Sequence, residues 1–298
     1  MSLSSGATLE EATGELAGAP GSGPKGSTGA RSVQRFGGAG DIVLKVLAAL
    51  VLLYLFAPIF VIMVFSFNKP LGKFNLKWHE FSLDAWLHPF AYPELTKSLV
   101  TSLEVAFVST TIAVVMGSFM AIALVRSRFR GQKAMDTFLV LPLTAAEVVM
   151  GASLLTLFLD LGWNRGFGTI VLAHIGFQLS FVAMTVRARV RGFDWTVEDA
   201  AMDLGADPRR TFLKVTLPLI MPGIAAAAML SFALSLDDFI ITYFNAGSTS
   251  TYPLYVNAAV KNGLPPQVNV LATAILGVSL LLIGAGSLWN RRRAGAEV

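Results

Sequence analysis

Residues 192–218 read GFDWTVEDAAMDLGADPRRTFLKVTLP and connect two long apolar stretches of the chain. Thr196 followed three residues later by Asp199 is close to a capping box, which predicts a short helix beginning just after Thr196. Gly205 stands where a helix C-cap is expected, and an Asp-Pro pair two residues later is typical of a new helix start. The segment therefore predicts two short helices between two apolar stretches.

The first of these short helices has one small apolar face. Its apolar residues recur at helical spacing, at Val197, Ala200, Ala201 and Leu204. One interpretation is a connector lying on lipid headgroups, but interfacial helices prefer Lys and Arg on the polar face and bulky apolar residues below. An acidic helix lined by alanine fits a groove of another protein better. We therefore favour a docking helix.

The composition is that of a membrane protein. The 298 residues are 54% hydrophobic and 14% charged, whereas soluble domains carry about 25% charged residues. A membrane-spanning helix needs about 20 mostly apolar residues. Six stretches qualify, at 43–66, 98–125, 137–160, 170–187, 219–245 and 268–289. We predict an all-α membrane protein whose six transmembrane helices occupy residues 41–290.

The distribution of basic residues predicts the orientation in the membrane. Most of the 23 Lys and Arg residues lie before the first span, in 126–133, in 188–218 and after the last span. Because positive charge favours the cytoplasmic side, these segments and both termini are predicted to be cytoplasmic. Residues 1–40, rich in small and polar residues, are predicted to form a disordered cytoplasmic tail. Residues 291–298 are predicted to form a basic cytoplasmic tail.

Several kinds of site are disfavoured by the residues present. The chain has no cysteine and three scattered histidines, so neither a metal site nor a catalytic constellation is indicated. The stretch GSGPKGST at 21–28 lacks the order of a phosphate-binding loop, and the chain is not predicted to bind ATP or another cofactor. Basic residues alternate with hydrophobic runs instead of forming one patch, so nucleic-acid binding is not expected.

A longer sequence signature relates the docking helix to a known protein family. The spacing of DAA at 199–201, Gly205, Val215 and LP at 217–218 resembles the EAA loop of ABC importer permeases, with Asp for the usual Glu. The resemblance implies the MetI-like fold of type I importer permeases, with the short helix seated in a cytoplasmic ATPase as a coupling helix. The coupling residues it implies are Glu198, Asp199, Ala200, Ala201, Leu204 and Gly205.

Four further stretches narrow the resemblance. They are similar to polyamine permeases of the spermidine/putrescine group, and lie at 57–70, 126–132, 235–244 and 263–273. This implies a bacterial plasma-membrane importer with a second, homologous permease subunit, an ATPase dimer that holds ATP and Mg, and an extracytoplasmic binding protein. Related permeases carry opines, other amines or other small solutes, so the solute stays open among these.

Two adjacent acids lie in the apolar run ALSLDDFIITYF. On a continuous helix Asp237 and Asp238 point about 100° apart. Steps of three and four residues from Asp238 reach a polar stripe, Ser231, Ser235 and Thr242, whereas Asp237 has apolar neighbours. We therefore predict that Asp238 lines a water-filled path and that Asp237 is a buried charge with a partner. The alternative is that both acids are structural and fix subunit assembly.

Other residues complete the predicted substrate path. Glu147 is predicted as a later station or gate, and the rings of Tyr243 and Phe239 offer cation–π attraction to an amine. The predicted path residues are Asp238, Asp237, Glu147, Ser235, Ser231, Thr242 and Tyr243. An ion-coupled secondary transporter is the rival class, since it also uses intramembrane acids. It is disfavoured because we recognise no inverted repeat and no paired broken helices in the sequence.

Overall fold

The computed structural model describes residues 39–127, 130–278 and 281. The predicted tails, apart from residues 39 and 40, lie outside these residues, as does the end of the sixth predicted span. Residues 1–56 and 57–298 form two separate units. All packing considered below lies within the second unit.

The described residues are mainly helical. The helices, in chain order, are α1 (Ala39–Phe65), α2 (Asp84–Leu87), α3 (Pro93–Arg126), α4 (Gln132–Thr144), α5 (Glu147–Asp160), α6 (Phe167–Arg191), α7 (Thr196–Asp203), α8 (Pro208–Thr211), α9 (Leu217–Asp237), α10 (Ile240–Asn245), α11 (Tyr252–Asn262) and α12 (Pro266–Val278). A π-helix, Phe212–Thr216, joins α8 to α9. Two short strands, β1 (Asn68–Lys69) and β2 (Glu80–Phe81), pair antiparallel with Asn68 opposite Phe81.

Four helical stretches of the described chain are long and apolar enough to cross a membrane. They are Ile42–Phe65, Pro93–Arg126, Phe167–Arg191 and Pro208–Asp237. They contain or overlap the predicted spans one, two, four and five. The bent pair α4 and α5 corresponds to the third predicted span, and α12 to the described beginning of the sixth. The predicted all-α membrane fold is therefore confirmed for the described residues, apart from the short β1–β2 pair.

The third span is broken, and the prediction of one continuous helix over 137–160 was wrong. Helices α4 and α5 meet at an angle of 109°. At the junction Ala145 and Ala146 have extended backbone, with ψ of 138° and 134°. Alanine is a strong helix former, and the neighbouring helix breaker, Pro142, lies inside α4 and not at the break itself.

The fifth span is also broken, which corrects the prediction of a continuous helix over 219–245. Asp238 has φ −62° and ψ 121°, between the end of α9 and the start of α10. Its carboxylate accepts hydrogen bonds from the backbone N–H groups of Ile241 (3.4 Å) and Thr242 (2.8 Å). Asp238 thus satisfies N–H groups at the start of α10 that have no partner within that helix. The expectation that the chain has no paired broken helices was wrong as well.

Helices α3, α6 and α9 form the central packing layer. Small side chains let them approach closely: a Cβ added to Gly117 of α3 would lie 2.7 Å from Val182 Cγ1 of α6. The two broken spans meet where a Cβ added to Gly151 of α5 would lie 2.8 Å from the Phe244 ring of α10. Close approach through small residues is typical of membrane helices, where van der Waals packing drives association. The two breaks are thereby held beside each other.

Candidate functional site

Helix α7, the predicted coupling helix, is capped by a residue that the sequence did not indicate. The Asp194 carboxylate accepts hydrogen bonds from the Thr196 backbone N–H (3.1 Å) and hydroxyl (2.9 Å). Thr196 is therefore the first residue of α7 and not its cap, which corrects the predicted capping box. Gly205 has φ +89°, a left-handed conformation that glycine adopts without strain, as the predicted C-cap requires. Pro208 begins α8 as predicted.

One face of α7 is open to a partner. Val197, Asp199 and Ala200 are exposed, Ala201 is half-buried, and the Leu204 side chain is 90% exposed. An isolated leucine at the end of an exposed helix, beside small side chains, matches the anchor of a helix that inserts into a groove.

Glu198 points the other way, which corrects its predicted place in the docking face. Its side chain is 3% exposed. The Arg126 guanidinium lies 2.9 Å from the Glu198 carboxylate, and the Thr216 hydroxyl donates to that carboxylate. Arg126 also lies 5.5 Å above the Trp195 ring. One helical step from Asp199 turns Glu198 by about 100°, toward the body of the subunit.

These contacts join Glu198 to the ends of two long helical segments. Arg126 ends α3, and Thr216 ends the π-helix that leads directly into α9. Glu198 thus fastens α7 to two membrane helices. The 21 residues of α9 correspond to a helix about 30 Å long, which ends at the acidic pair. Through the Glu198–Thr216 contact, α7 is thus connected to the helix that carries Asp237.

The acidic pair differs from the prediction in burial: Asp238 is the buried carboxylate and Asp237 the exposed one. The Asp238 side chain is 5% exposed and lies 3.3 Å from His174 Nε2 of α6. Its Oδ2 atom accepts a hydrogen bond from the Thr242 hydroxyl at 2.8 Å. Asp237, predicted to be the buried charge, is exposed at the end of α9. The prediction assumed a continuous helix, and the break at Asp238 turns the two carboxylates in different directions.

The polar stripe of the fifth span is buried, so the prediction that it lines an open path was wrong for this subunit. Ser231, Ser235 and Thr242 are each at most 4% exposed. They face polar residues of α6: Ser235 and Thr242 pair with His174, and the Ser231 carbonyl accepts from Gln178. Periodicity within one helix identifies a polar face but not the matching face of another helix.

His174 is the residue that sequence reasoning missed. It was grouped with two other isolated histidines and given no role. A signal was present in the sequence, since His174 and Gln178 are four residues apart in an apolar span and therefore share one helical face. Polar residues at such positions usually face the interior of a membrane bundle.

A cavity of about 450 Å³ opens between the two broken spans. Glu147, Asp237 and Asp238 line it, together with the aromatic residues Phe177, Phe181 and Phe239. Glu147 begins α5 at the break of the third span, so it borders the same cavity as Asp237. Glu147 and Asp237 therefore share one cavity, and a role of Glu147 as a later station or gate stays a prediction.

Asp237 also borders a second cavity, of about 480 Å³, lined by residues of α11 and α12. Of the two adjacent acids, Asp237 is thus the one that borders both cavities. Tyr243 is 62% exposed and is not among the residues that line either cavity, although its ring packs 5.6 Å from that of Phe239. Within the described residues, no cluster of His, Asp and Glu is placed to hold a metal ion.

Comparison with solved structures identifies the fold. The fold resembles a bacterial ABC transporter that imports the acidic polysaccharide alginate, with a TM-score of 0.59 at 16% identity, covering 84% of this chain and 95% of that one. It also resembles the MetNI methionine ABC transporter in an inward-facing conformation, with a TM-score of 0.55 at 16% identity, covering 65% and 94%. The fold is that of ABC importer permeases, as predicted.

The sequence then places the chain in a family. Residues 113–292 match the binding-protein-dependent transport system inner membrane component, and the chain belongs to that family. It is 37% identical over 240 residues to the spermidine/putrescine transport system permease protein PotC of Haemophilus influenzae, covering 80% of this chain and 93% of that protein. PotC of Escherichia coli K12 is 39% identical over 239 residues, covering 80% and 90%. The putrescine permease protein PotI of the same strain is 39% identical over 233 residues, covering 75% and 82%.

Membership of this family settles the chain's general role. It is a multi-pass inner-membrane permease subunit of an ABC importer that works with a binding protein and an ATPase. The chain itself is not an enzyme, because ATP hydrolysis resides in the separate ATPase subunit. The predicted family and its MetI-like fold are confirmed.

Proposed function

We propose that this chain is the permease subunit of a polyamine importer, and that the cavity between the two broken spans receives the cationic solute during passage. The observation that carries the proposal is that Asp237 and Glu147 border one cavity inside a membrane bundle. A charged side chain at the bilayer centre costs about 2.5–3.5 kcal/mol even on the lenient insertion scale. A polycationic solute that enters the cavity offsets this cost.

The chemistry of the cavity wall fits a diamine. Putrescine carries an ammonium group at each end of an apolar chain, so it requires two anionic partners separated by apolar surface. Glu147 lies on one broken span and Asp237 on the other, and phenylalanine rings lie in the wall of the same cavity. Those rings add cation–π attraction as well as apolar contact with the methylene chain. The identity to PotC and PotI supports spermidine or putrescine over the opines, amines and other solutes of related permeases.

The proposal includes the partners of the chain. A second, homologous permease subunit completes the membrane part, and an ATPase dimer holds ATP and Mg. An extracytoplasmic binding protein delivers the solute. The exposed face of α7, with Asp199, Ala200, Ala201, Leu204 and Gly205, contacts the ATPase, and the bias of Lys and Arg places both termini in the cytoplasm.

One observation favours a rival function. Paired broken helices around intramembrane acids are typical of ion-coupled secondary transporters, and the structure contains two broken spans. Family membership and the exposed coupling helix favour the importer.

Uptake into membrane vesicles separates these two functions. The importer requires ATP, the ATPase and the binding protein, and we expect putrescine uptake to stop when any of the three is omitted. A proton gradient without ATP should drive no uptake. Uptake by this chain alone, driven by the gradient and indifferent to ATP, would show that the secondary-transporter interpretation is correct.

A further inference from the structure

His174 bridges the break in the fifth span. Its ring is 1% exposed, in the first half of α6. Nδ1 lies 2.7 Å from the Ser235 hydroxyl on α9, and Nε2 lies 2.9 Å from the Thr242 hydroxyl on α10. The same Nε2 atom lies 3.3 Å from the Asp238 carboxylate at the break itself. One side chain therefore contacts both half-helices and the residue between them.

A side-chain contact is needed to fix the bend between α9 and α10, because the backbone hydrogen bonds of a continuous helix are interrupted there. A continuous helix fixes its direction through i to i−4 hydrogen bonds, and this ladder is interrupted at Asp238. The direction of α10 relative to α9 then depends on side chains that reach both halves. Asp237 is the last residue of α9, so the geometry of the bend also decides where its carboxylate lies relative to Glu147 across the cavity.

We infer that His174 is a positioning residue for translocation. It clamps the bend, keeps Asp238 turned toward α6, and so leaves Asp237 facing the cavity. Its ring is fixed in turn by the edge of Phe177, whose centroid lies 5.5 Å away. His174 does not border the cavity and does not contact the solute. The expected effect of His174 on transport rests on the proposed function. The clamp, meaning the contacts by which His174 joins α9, Asp238 and α10, does not rest on it.

Imidazole suits this place because its two nitrogens lie on opposite sides of a rigid ring. Each nitrogen can donate or accept according to protonation, and serine and threonine hydroxyls rotate to match. Glutamine retains one donor and one acceptor on a side chain of related length, and therefore keeps part of the bridge. Leucine fills a similar volume without any hydrogen bond, and leaves buried polar groups of the fifth span unsatisfied.

Thiol labelling tests the clamp without reference to the solute. The native chain has no cysteine, so a single Ile240→Cys at the start of α10 reports on the cavity side of the bend. The complete importer in liposomes is treated with a charged, water-soluble thiol reagent. We expect His174→Leu to raise the labelling rate about tenfold, which corresponds to losing one or two hydrogen bonds. His174→Gln should stay within about threefold of the native rate.

Controls keep this test decisive. Ala258→Cys, exposed on α11, should label at the same rate in every background. If His174→Leu fails to assemble, Thr242→Val removes the contacts of the α10 hydroxyl with His174 and Asp238 and leaves the Ser235 contact in place, and the same increase at Ile240→Cys is expected. Equal Ile240→Cys labelling in the native, leucine and valine backgrounds would overturn the clamp.

Transport then separates positioning from simple packing. In His174→Leu we expect putrescine uptake per ATP hydrolysed to fall about tenfold, with substantial recovery in His174→Gln. A residue needed only for folding would lower uptake and ATP hydrolysis together, in proportion to the amount of assembled importer. That proportional loss would overturn the positioning role. A labelling change in an importer that carries no polyamine would leave the clamp in place and refute only the proposed solute.

Discussion

Asp237→Asn should lower ATP-dependent putrescine uptake at least about tenfold, because it removes one charge-assisted contact worth about 1.5–3 kcal/mol. The carboxylate is exposed and borders both cavities, so its loss leaves the packing of the subunit intact. Assembly with the ATPase and the thermal unfolding midpoint should therefore match those of the native importer. Initial uptake rates at saturating binding protein measure the effect, and Asp160→Asn, exposed at the end of α5 outside both cavity walls, is the control.

Asp238→Asn should act differently, through stability. The amide keeps one oxygen, so its NH₂ group, which cannot accept, must face either the two Thr242 donors or the Ile241 N–H. We expect a loss of about 1–3 kcal/mol, seen as a lower unfolding midpoint and less assembled importer. If Asp237→Asn transports normally while Asp238→Asn abolishes uptake in a stable importer, the assignment of the two acids is reversed.

Ala200→Trp should nearly abolish association with the ATPase. Ala200 lies on the exposed face of α7, and an indole there prevents the helix from seating in a groove shaped for a methyl group. Ala201 is half-buried, so a tryptophan at that position would also disturb the packing of α7 within the subunit. Ala200→Trp is therefore the cleaner test of docking.

Co-purification measures this effect. The amount of ATPase recovered with an affinity-tagged permease should fall at least about tenfold, which corresponds to about 1.4 kcal/mol or more. Ala258→Trp, at an exposed alanine of α11, should not change it. Normal ATPase recovery with Ala200→Trp would mean that this face of α7 is not the docking surface.

Local chemistry in the sequence was enough to predict the coupling segment and most spans. Apolar length located the helices, because a membrane-spanning helix must satisfy its own backbone hydrogen bonds within an apolar segment. Gly205 and Pro208 act as predicted, since a left-handed C-cap and a first-turn proline depend only on the backbone near them. Thr196 does not cap α7, because its N–H and hydroxyl both donate to the Asp194 carboxylate and the helix begins at Thr196.

The arrangement of the acidic cavity depended on contacts far apart in the sequence. The break at Ala145 occurs at a residue that favours helix, so propensity argued against it. The break at Asp238 is held by His174, 64 residues earlier in the chain, and a single-helix projection cannot include such a partner. Once the helix is broken, the faces computed for Asp237 and Asp238 no longer apply. The sequence therefore identified the acids but exchanged their burial.

Solute uptake by the complete importer tests the central claim most directly. The permease is reconstituted in liposomes with its permease partner, ATPase and binding protein, and radiolabelled putrescine is followed with ATP on the ATPase side. We predict that putrescine accumulates in the presence of ATP. Excess spermidine should suppress this accumulation, and the uncharged diol of the same chain length should not change it. One result would contradict the account: the liposomes accumulate no putrescine, although a binding protein loaded with a neutral or anionic solute stimulates their ATPase.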